Sequence, residues 1–456
     1  MDGKSEFTAS YTKNLLYEVE NMIEKLTSII VAITTVIMSV TGLFVWGFAP
    51  EDETEFTPVI RFVACSDSHL KTAAGVGSHR LEKTAKLAYA IANADDEYNN
   101  LDAFLINGDI TNDGNIDQFA GFKVIADKYI KSETELLPII ANNHDFRNMK
   151  KQTVAYFSQL MGKDTDYHKV VNGYHFIGIS TSDVEGVNYT EAQRVWLKAQ
   201  LDEAVKDDPN KPIFVSQHEH VLNTVYGSSD FDGWGIDDFS DILEQYPQVV
   251  DFSGHSHYPL NDPRSVWQGS FTAIGTGALA YMELTVENQR KVHPTGHSLE
   301  AQFWIVELDK DSNMRLRGID LIEQKVLCEY ILANPANPAN REYTPEKQAA
   351  RSTPPVFSEN AELKVTKLAK SVTVKFDAAQ STSSEPIFLY KVKVINSDGE
   401  VVKSDWVLPK YYSATVEKTE RLKLGKFEEG DYTVSVTAET AWGVQSEAIT
   451  TDFTVK

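Results

Sequence analysis

The stretch AFLINGDITND, residues 103–113, shows the pattern on which the rest of the sequence can be interpreted. Its beginning, Ala103 to Asn107, is mostly apolar and is typical of a short buried strand. Gly108 ends this strand, and Asp109 follows at once. A carboxylate at the carboxyl end of a strand lies where ligands bind in open α/β sheets. Taken alone, the stretch is weak evidence for a functional strand end, because a surface loop is the default interpretation of such a segment.

Four other polar segments follow apolar, strand-like runs in the same way. Any one of them alone is expected by chance in a chain with 11 histidines and many acidic residues, and its default interpretation is a surface loop. The ordered set is far more specific, because the strand ends of an α/β sheet meet at one edge. The segments are Asp67-Ser68-His69, Asn143-His144-Asp145, His218 within Gln217-His218-Glu219-His220, and Gly254-His255-Ser256-His257.

The residue types in these segments favour metal binding. Carboxylate and amide oxygens together with imidazole nitrogens suit Fe, Mn or Zn and show no preference for soft Cu(I). Asp109 is suited to bridging two cations because the flexible Gly108 before it leaves the carboxylate accessible from both sides. Two cations about 3.5–4 Å apart can clamp a phosphoryl oxygen. The sequence thus predicts two divalent or trivalent transition-metal ions at these strand ends.

In this order, the five segments resemble the signature of the calcineurin-like metallophosphoesterase family, and the resemblance predicts such a domain over residues 59–332. It implies an α/β fold of four layers, α-β-β-α, with two packed sheets between helices. It also implies a hydrolase that cleaves phosphoester bonds with a metal-bridging hydroxide as the nucleophile. The implied ligands are Asp67, His69, Asp109 and His257 for the first metal and Asp109, Asn143, His218 and His255 for the second.

The resemblance also assigns catalytic roles to His144 and Asp145. As an imidazolium, His144 would protonate the leaving alkoxide, and Asp145 would orient its ring. The fourth segment offers two histidines, and His218 is favoured over His220 because it follows the strand directly. His220 or Glu219 would then support the ligands from behind.

Two positions bear on the place of this chain within the family. Asn142 stands where glycine is usual, and asparagine is the best substitute if that position needs a positive φ. Purple acid phosphatases carry a tyrosine ligand three residues after the bridging aspartate, where this chain has Asn112, and they lack the histidine that corresponds to His69. The chain therefore looks more like the branch with protein phosphatases, nucleases and cyclic-nucleotide phosphodiesterases.

Weaker candidates for substrate binding lie outside the five segments. Arg264 could hold a phosphate with two hydrogen bonds, although an ordinary salt bridge is the more common role for such a residue. Tyr226, Trp234 and Tyr281 could wall a ring-binding pocket, and packing is their default interpretation.

The remaining sequence predicts further domains. Strand-like and helical stretches alternate over residues 59–332, which indicates an α/β layered domain. The Asn/Pro-rich residues 333–355 predict an extended linker or a strap that lies on this domain. Residues 356–456 show period-two alternation and predict an all-β sandwich. Its stretch 430–443 resembles the late strands of an immunoglobulin-like, fibronectin type III-like module, in which the hydroxyl of Tyr432 would return to the backbone.

The N-terminal region predicts export. Residues 1–25 are polar, whereas residues 26–49 contain no charge and are long enough to cross a bilayer, which takes about 20 helical residues. Lysines before this apolar helix and acidic residues after it favour a cytoplasmic N-terminus and an external bulk. A cleaved signal and a transmembrane anchor both fit this pattern. The predicted location is therefore extracellular or at the cell surface, either membrane-anchored or secreted.

The net charge of the chain limits the classes of molecule that it can be expected to bind. A net charge of -23 repels phosphate backbones and disfavours duplex nucleic acid. The sequence predicts a small-molecule phosphoester substrate, with phosphodiesters and nucleotides among the candidates, and a C-terminal module that contacts a cell surface or a glycan. Two alternatives stay open: a non-catalytic adhesion or binding protein on a phosphoesterase scaffold, and a metal-dependent nuclease.

Overall fold

The computed structural model describes residues 56–141 and 143–456. The predicted polar segment 1–25, the predicted apolar segment 26–49 and position 142 lie outside the described residues and stay predictions. Within the part of the chain that the structure describes, no helix combines the length and the apolar character needed to cross a bilayer.

The described residues form strands and α-helices that alternate through the first part of the chain and strands alone near its end. The strands are β1 (Ile60–Cys65), β2 (Ala103–Asn107), β3 (Glu135–Ile139), β4 (Tyr167–Val171), β5 (Tyr174–Gly178), β6 (Ile213–Ser216), β7 (His220–Val221), β8 (Gly235–Ile236), β9 (Val249–Ser253), β10 (Val266–Gln268), β11 (Thr272–Gly275), β12 (Leu284–Val286), β13 (Gln289–Val292), β14 (Gln302–Leu308), β15 (Met314–Asp320), β16 (Lys325–Leu332), β17 (Leu363–Leu368), β18 (Ser371–Asp377), β19 (Ile387–Asn396), β20 (Val401–Val407), β21 (Thr419–Lys426), β22 (Gly430–Thr440) and β23 (Ile449–Val455). The helices are α1 (Val76–Asn93), α2 (Ile116–Tyr129), α3 (Thr153–Met161), α4 (Glu191–Asp207), α5 (Ser240–Leu243) and α6 (Pro345–Arg351).

Two six-stranded sheets build the first domain. The first has the order β16-β15-β14-β1-β2-β3, and the second has the order β10-β11-β9-β6-β5-β4. Strands β1, β2 and β3 run parallel, as do β5, β6, β9 and β11. The central strands β1 and β2 are buried along their whole length, as expected for parallel strands that are covered on both faces.

The two sheets pack face to face, and helices cover their outer faces. Phe62 of β1 meets Phe176, Phe214 and Phe252 of the second sheet, with ring centroids 5.2, 4.9 and 5.8 Å away. Helices α1 and α2 bury their apolar sides on the first sheet, and α4 does so on the second. The predicted α/β fold with four layers is thereby confirmed.

Local hydrogen bonds set the ends of two helices. Helix α1 ends at Asn93, and beyond it the Asp95 carboxylate accepts hydrogen bonds from the backbone N–H groups of Glu97 and Tyr98. Such a turn competes with the helical hydrogen bonds. Helix α4 begins after Thr190, whose side chain forms a reciprocal cap with Gln193.

The Asn/Pro-rich segment 333–355 lies on the first domain as a strap. The Arg341 guanidinium donates to the carbonyl of Ser270 at 2.6 Å, and the Gln348 amide donates to the carbonyl of Val266 at 2.9 Å. The strap also contains α6, a short helix capped by Thr344, which the proline content did not predict. Of the two predicted forms, the docked strap is the one observed.

The C-terminal region is all-β, as predicted. A three-stranded sheet, β17-β18-β21, and a four-stranded sheet, β20-β19-β22-β23, are antiparallel throughout and share one apolar core. The hydroxyl of Tyr432 donates to the carbonyl of Glu428 at 3.2 Å, which is the return to the backbone expected of a corner tyrosine. The fibronectin type III-like assignment of this region stays a prediction.

The aromatic contact between the sheets gives a stability prediction. We expect Phe62→Ala to lower the free energy of unfolding by about 3–5 kcal/mol, because it leaves a cavity among three other rings. Val124→Ala on α2, where the side chain is 64% exposed, should change it by about 0.5 kcal/mol or less. Urea unfolding of the two variants measures the difference, and equal losses would contradict this account of the core.

Candidate metal centre

The five polar segments converge at one edge of the sheet sandwich. Asp67 and His69 follow β1, Asp109 follows β2, and the Asn143-His144 pair follows β3. From the second sheet, His218 follows β6, while His255 and His257 follow β9. The parallel strands of the two sheets thus end where these side chains meet, as expected for a ligand site of an α/β fold.

The backbone of these segments is held in an unusual conformation. Positive φ angles occur at Asp67 (52°), His69 (44°), Asp109 (47°), His255 (69°) and His257 (59°). Such angles are uncommon for residues other than glycine and persist where the surroundings enforce them. Backbone hydrogen bonds tie the segments to one another: Asp67 N–H donates to Gly108, His69 N–H to Asp109, and Gly254 N–H to His218.

Two glycines allow the segments to approach so closely. At Gly108, where φ is +83°, a Cβ atom would lie 2.5 Å from Nδ1 of His218. At Gly254, a Cβ atom would lie 2.6 Å from Oδ2 of Asp67. A side chain at either position would displace a residue of the cluster.

One half of the cluster consists of Asp67, His69 and His257. Oδ1 of Asp67 lies 3.1 Å from Nε2 of His257 and 3.7 Å from Nε2 of His69. The Nδ1 atom of His257 lies 3.1 Å from the carbonyl oxygen of Tyr281. With the proton of His257 held there, its Nε2 atom is free to act as a ligand.

The other half consists of Asp109, His218, His255 and Asn143. Oδ2 of Asp109 lies 3.4 Å from Nε2 of His218 and 3.4 Å from the amide nitrogen of Asn143. Nε2 of His218 lies 3.2 Å from Nδ1 of His255. The same Asp109 oxygen lies 3.7 Å from Nε2 of His69, so this carboxylate is shared by both halves.

The donor set fits metal ions. Metal–ligand bonds of about 2.1 Å place neighbouring ligand atoms about 3.0–3.4 Å apart, close to several of the separations above. Oδ1 of Asp67 and Nε2 of His69 are buried and have no hydrogen-bond partner. Buried polar atoms are normally satisfied, so these two atoms without partners fit the role of metal ligands. The Asp and His cluster can therefore hold metal.

The structure corrects the predicted role of Asp145. Its carboxylate accepts hydrogen bonds from the backbone N–H groups of Ile110, Thr111 and Ala141 and from the Thr111 hydroxyl, and none of these donors belongs to His144. Asp145 thus ties the loops after β2 and β3 together instead of orienting the histidine.

His144 is oriented by other groups. Its Nδ1 atom lies 2.8 Å from the carbonyl oxygen of Asn112, and its Nε2 atom lies 3.0 Å from the guanidinium of Arg147. This pattern fits a neutral ring that donates from Nδ1 and accepts at Nε2. Burial and the nearby His69 lower the pKa of His144 to about 4. At neutral pH, the ring is therefore neutral, whereas the sequence predicts a proton donor that titrates near neutrality.

His220 faces away from the carboxylates. Its two ring nitrogens lie 2.8 and 2.7 Å from the hydroxyls of Ser253 and Ser256. Glu219 accepts from the hydroxyl of Tyr189 at 3.1 Å. The geometry thus favours His218 as the member of the cluster. Glu219 and His220 lie behind it, in positions that support the ligands.

Arg264 is not placed to bind phosphate at this centre. Its Nε and Nη2 atoms each donate to the Asp262 carboxylate at 2.7 Å, and its guanidinium lies 3.7 Å from the ring centroid of Tyr226. It lines a separate cavity of about 420 Å³ that contains none of the proposed ligands. The more ordinary interpretation, a salt bridge, is the correct one.

Aromatic and basic side chains that sequence reasoning ranked low or missed surround the cluster. The Trp234 ring centroid lies 4.8 Å from that of His255, and the Tyr281 centroid lies 4.1 Å from that of His257. Nζ of Lys291 lies 4.0 Å from the Trp234 centroid. Arg147, beside His144, contacts carbonyl and imidazole groups rather than a carboxylate. Its position three residues after His144 was the one signal that could have identified it.

Charges in the cluster compensate one another. Burial alone would raise the pKa of Asp67 and of Asp109, but the charge of the nearby histidines lowers both pKa values. Burial opposes protonation of His69, yet the adjacent carboxylates of Asp109 and Asp67 raise its pKa to about 9. The pKa of His218 is also raised, chiefly by Asp109 against burial. Metal ions would have to displace these protons.

The four-layer α/β fold carries its buried Asp and His cluster at the strand ends of the two sheets. Residues 60–259 match the family model described as Calcineurin-like phosphoesterase, so this part of the chain is a calcineurin-like phosphoesterase domain. No curated protein matches the chain significantly.

Solved structures also resemble this chain. GAP50, described as the anchor in the inner membrane complex of Plasmodium, is 15% identical with a TM-score of 0.41, covering 60% of this chain and 89% of that one. Purple acid phosphatase PPD1 from yellow lupin (Lupinus luteus) is 14% identical with a TM-score of 0.42, covering 60% of this chain and 53% of that one. Neither similarity assigns a function to this chain.

The raised pKa of His69 predicts a pH dependence for the metal-free protein. Its pKa is about 9 when folded and about 6.5 when unfolded, so its stabilising contribution is complete below about pH 6.5 and lost as pH rises through 9. We expect the free energy of unfolding in chelator to fall over this range by up to roughly 3 kcal/mol. His69→Gln should lack this component. Equal slopes for the two proteins in urea unfolding from pH 6 to 9.5 would contradict it.

Substitutions at two glycines with positive φ distinguish the effect of backbone strain on stability from the effect of crowding. Gly162→Ala, where the added Cβ meets nothing within 4 Å, should lower the free energy of unfolding by about 1–2 kcal/mol. Gly108→Ala carries the same strain and also displaces His218, so it should lower stability further and weaken Zn²⁺ binding. Urea unfolding and chelator competition measure both effects. Equal behaviour of the two variants would show that Gly108 is not needed for close approach.

Proposed function

We propose that this protein is a dinuclear-metal phosphoesterase that hydrolyses phosphoester bonds. The observation that carries the proposal is the convergence of two groups, Asp67 with His69 and His257 and Asp109 with His218 and His255, at the strand ends of a calcineurin-like phosphoesterase domain. The Asp109 carboxylate also lies 3.7 Å from His69 and so connects the two groups. In an ordinary structural ion pair, each carboxylate faces one basic side chain. Here several imidazoles, which can lose their protons, surround two carboxylates, and this is the composition of a metal site.

The proposed ligands follow the two halves of the cluster. An Fe, Mn or Zn ion in the first half and a second ion in the other would share Asp109. The amide oxygen of Asn143 would have to turn to the position now taken by its nitrogen, an exchange that needs only rotation of the amide. The proposed ligand sets are Asp67, His69, Asp109 and His257 for one ion and Asp109, Asn143, His218 and His255 for the other.

When bound, the two ions would supply Lewis acidity and activate a water for in-line attack on phosphorus. The protein's own contribution at the substrate is His144 with Arg147. An anionic phosphoester favours the charged form of a nearby imidazole, so substrate binding would raise the pKa of His144 from its low value. We propose that Nε2 of His144 takes up a proton with the substrate and gives it to the leaving oxygen, while Arg147 holds a non-bridging oxygen.

Small, accessible phosphoesters are the substrates that fit this centre best. Asn143, His144 and His255 are its partly exposed members, and Trp234 and Tyr281 beside them are partly exposed as well. Aromatic walls and a guanidinium suit a phosphodiester or nucleotide with a planar group. The net charge of -23 disfavours the alternative of a nuclease that acts on long nucleic acid.

The cellular setting is part of the proposal and rests on the sequence. The uncharged residues 26–49 support export, with the enzyme anchored at or released from the cell surface. A non-catalytic binding protein on this scaffold is the other candidate. The two orphaned ligand atoms weigh against it, because buried polar groups without partners are costly.

Metal quantification and a substrate panel test the proposal. We expect about two transition-metal ions per chain and hydrolysis of an aryl phosphodiester or nucleotide faster than of single-stranded DNA. Asp109→Asn should lose both metal and activity, whereas His168→Gln, at a histidine that contacts Gln200 and His175, should keep both. If the protein binds no metal and hydrolyses no phosphoester of the panel, the result would support the alternative of a non-catalytic binding protein.

The role of His144 gives a separate prediction. His144→Ala should lower kcat by about 10²–10⁴-fold with the metal content unchanged, because the ring serves proton transfer and is not a ligand. Metal analysis and steady-state kinetics on the same preparation measure both quantities. A variant that loses metal but keeps its turnover per bound metal would overturn this assignment.

A further inference from the structure

A loop of the C-terminal sandwich is buried against the phosphoesterase domain. We call residues 408–415, between β20 and β21, the tyrosine loop. Tyr411 and Tyr412 in this loop are each only 2% exposed. Their rings belong to an apolar cluster that also contains Met282, Leu284 and Val286 of the first domain. Loop aromatics buried in this way are part of a shared core rather than a mobile surface.

The tyrosine loop holds the segment that carries His255 and His257. We call residues 254–262 the histidine loop. The side chain of Asn261 donates to the carbonyl of Tyr411 at 2.7 Å, and the Tyr411 hydroxyl donates to the Asp262 carboxylate at 3.2 Å. Both contacts are buried, so each constrains the histidine loop more than a surface hydrogen bond would.

A second side chain extends this connection. The Gln302 amide nitrogen donates to the carbonyl of Tyr412 at 2.6 Å, and its amide oxygen accepts from the backbone N–H of Leu260 at 2.9 Å. Gln302 is completely buried. It therefore links the tyrosine loop to the histidine loop without an intervening solvent layer.

The tyrosine loop also supports the rim hairpin, which we define as residues 281–297. The hydroxyl of Tyr412 donates to the carbonyl of Thr295 at 3.2 Å. The hairpin in turn reaches the centre: the Tyr281 carbonyl lies 3.1 Å from Nδ1 of His257, and the Glu283 N–H donates to the His257 carbonyl at 3.2 Å. The hairpin thus determines which nitrogen of His257 faces Asp67.

We infer that the C-terminal sandwich is a positioning element of the metal centre, with Tyr411 and Tyr412 as its positioning residues. They hold the histidine loop and the rim hairpin so that Nε2 of His257 faces Asp67. The inference rests on the proposed function for the identity of the ligands. It gives the C-terminal module a role different from the cell-surface or glycan contact that the sequence predicts.

The backbone of the histidine loop explains why such support is needed. His255 and His257 have φ angles of +69° and +59°, which side chains other than glycine adopt at an energetic cost. Such strain persists only when the surroundings determine it. Without the tyrosine loop, the histidine loop would be free to relax, and the spacing of its ligand atoms would be lost.

Zn²⁺ binding and hydrogen exchange of the full-length chain test the inference. We expect Tyr412→Ala to speed exchange in residues 254–262 and 281–297 at least tenfold without changing it in β2 or β18. We expect Zn²⁺ affinity, measured by competition with a chromogenic chelator, to fall about tenfold. Tyr412→Phe should lose less, since it keeps the ring. Tyr432→Phe, which removes a hydroxyl bond within the sandwich, is the matched control and should change neither quantity.

The outcomes separate this inference from the proposed function. Exchange and Zn²⁺ affinity within twofold of the wild type in Tyr412→Ala would overturn the inference. If that variant does not fold, Tyr411→Phe and Tyr412→Phe decide in its place, and the combined pair should weaken Zn²⁺ binding two- to fivefold. Wild-type protein that binds Zn²⁺ but hydrolyses no phosphoester would defeat the proposed function and leave the inference to be judged on affinity and exchange. If the wild type binds no Zn²⁺, the exchange result alone decides.

Discussion

The burial of two carboxylates close together, those of Asp67 and Asp109, is the constraint on which the rest of the centre depends. Placing one unpaired carboxylate in a protein interior costs several kcal/mol, and two that repel each other cost more. The surrounding imidazoles offset this cost, either by carrying protons or by joining the carboxylates around cations. The same constraint accounts for the crowded glycines and the positive φ angles.

The core of this arrangement was predictable because its signals are local. An apolar run that ends in Asp or His places strand and ligand in one short segment, and parallel strands then bring the segments together without any long-range information. Strand β2, from Ala103 to Asn107, and Asp109 after it match the prediction residue by residue. The same reasoning placed β9 before His255 and His257. The family of the domain followed from the order of these segments.

Contacts between distant parts of the chain could not be predicted in this way. The family resemblance assigned Asp145 to orient His144, but the Asp145 carboxylate accepts hydrogen bonds from N–H groups of the loop after β2, 34 and 35 residues away. Arg264 donates to the carboxylate of Asp262, two residues before it. The same carboxylate accepts a hydrogen bond from the hydroxyl of Tyr411, 149 residues away. No local pattern marks such a contact, because Tyr411 lies in the loop between β20 and β21, outside the alternating strands.

The packing of the C-terminal sandwich against the phosphoesterase domain can be understood from what a metal centre requires of its loops. Loops that carry ligands are the least stable parts of a fold, since few backbone hydrogen bonds hold them. A metal centre nevertheless needs its ligand atoms within a few tenths of an ångström of their positions. The first segments meet this demand through bonds to one another, as between Asp67 and Gly108. The histidine loop follows the last of the ligand-bearing strands and is also held from outside these segments, by the tyrosine loop and by Gln302. The sandwich packed behind it supplies this further constraint and thus acts as part of the centre rather than as an appendage to it.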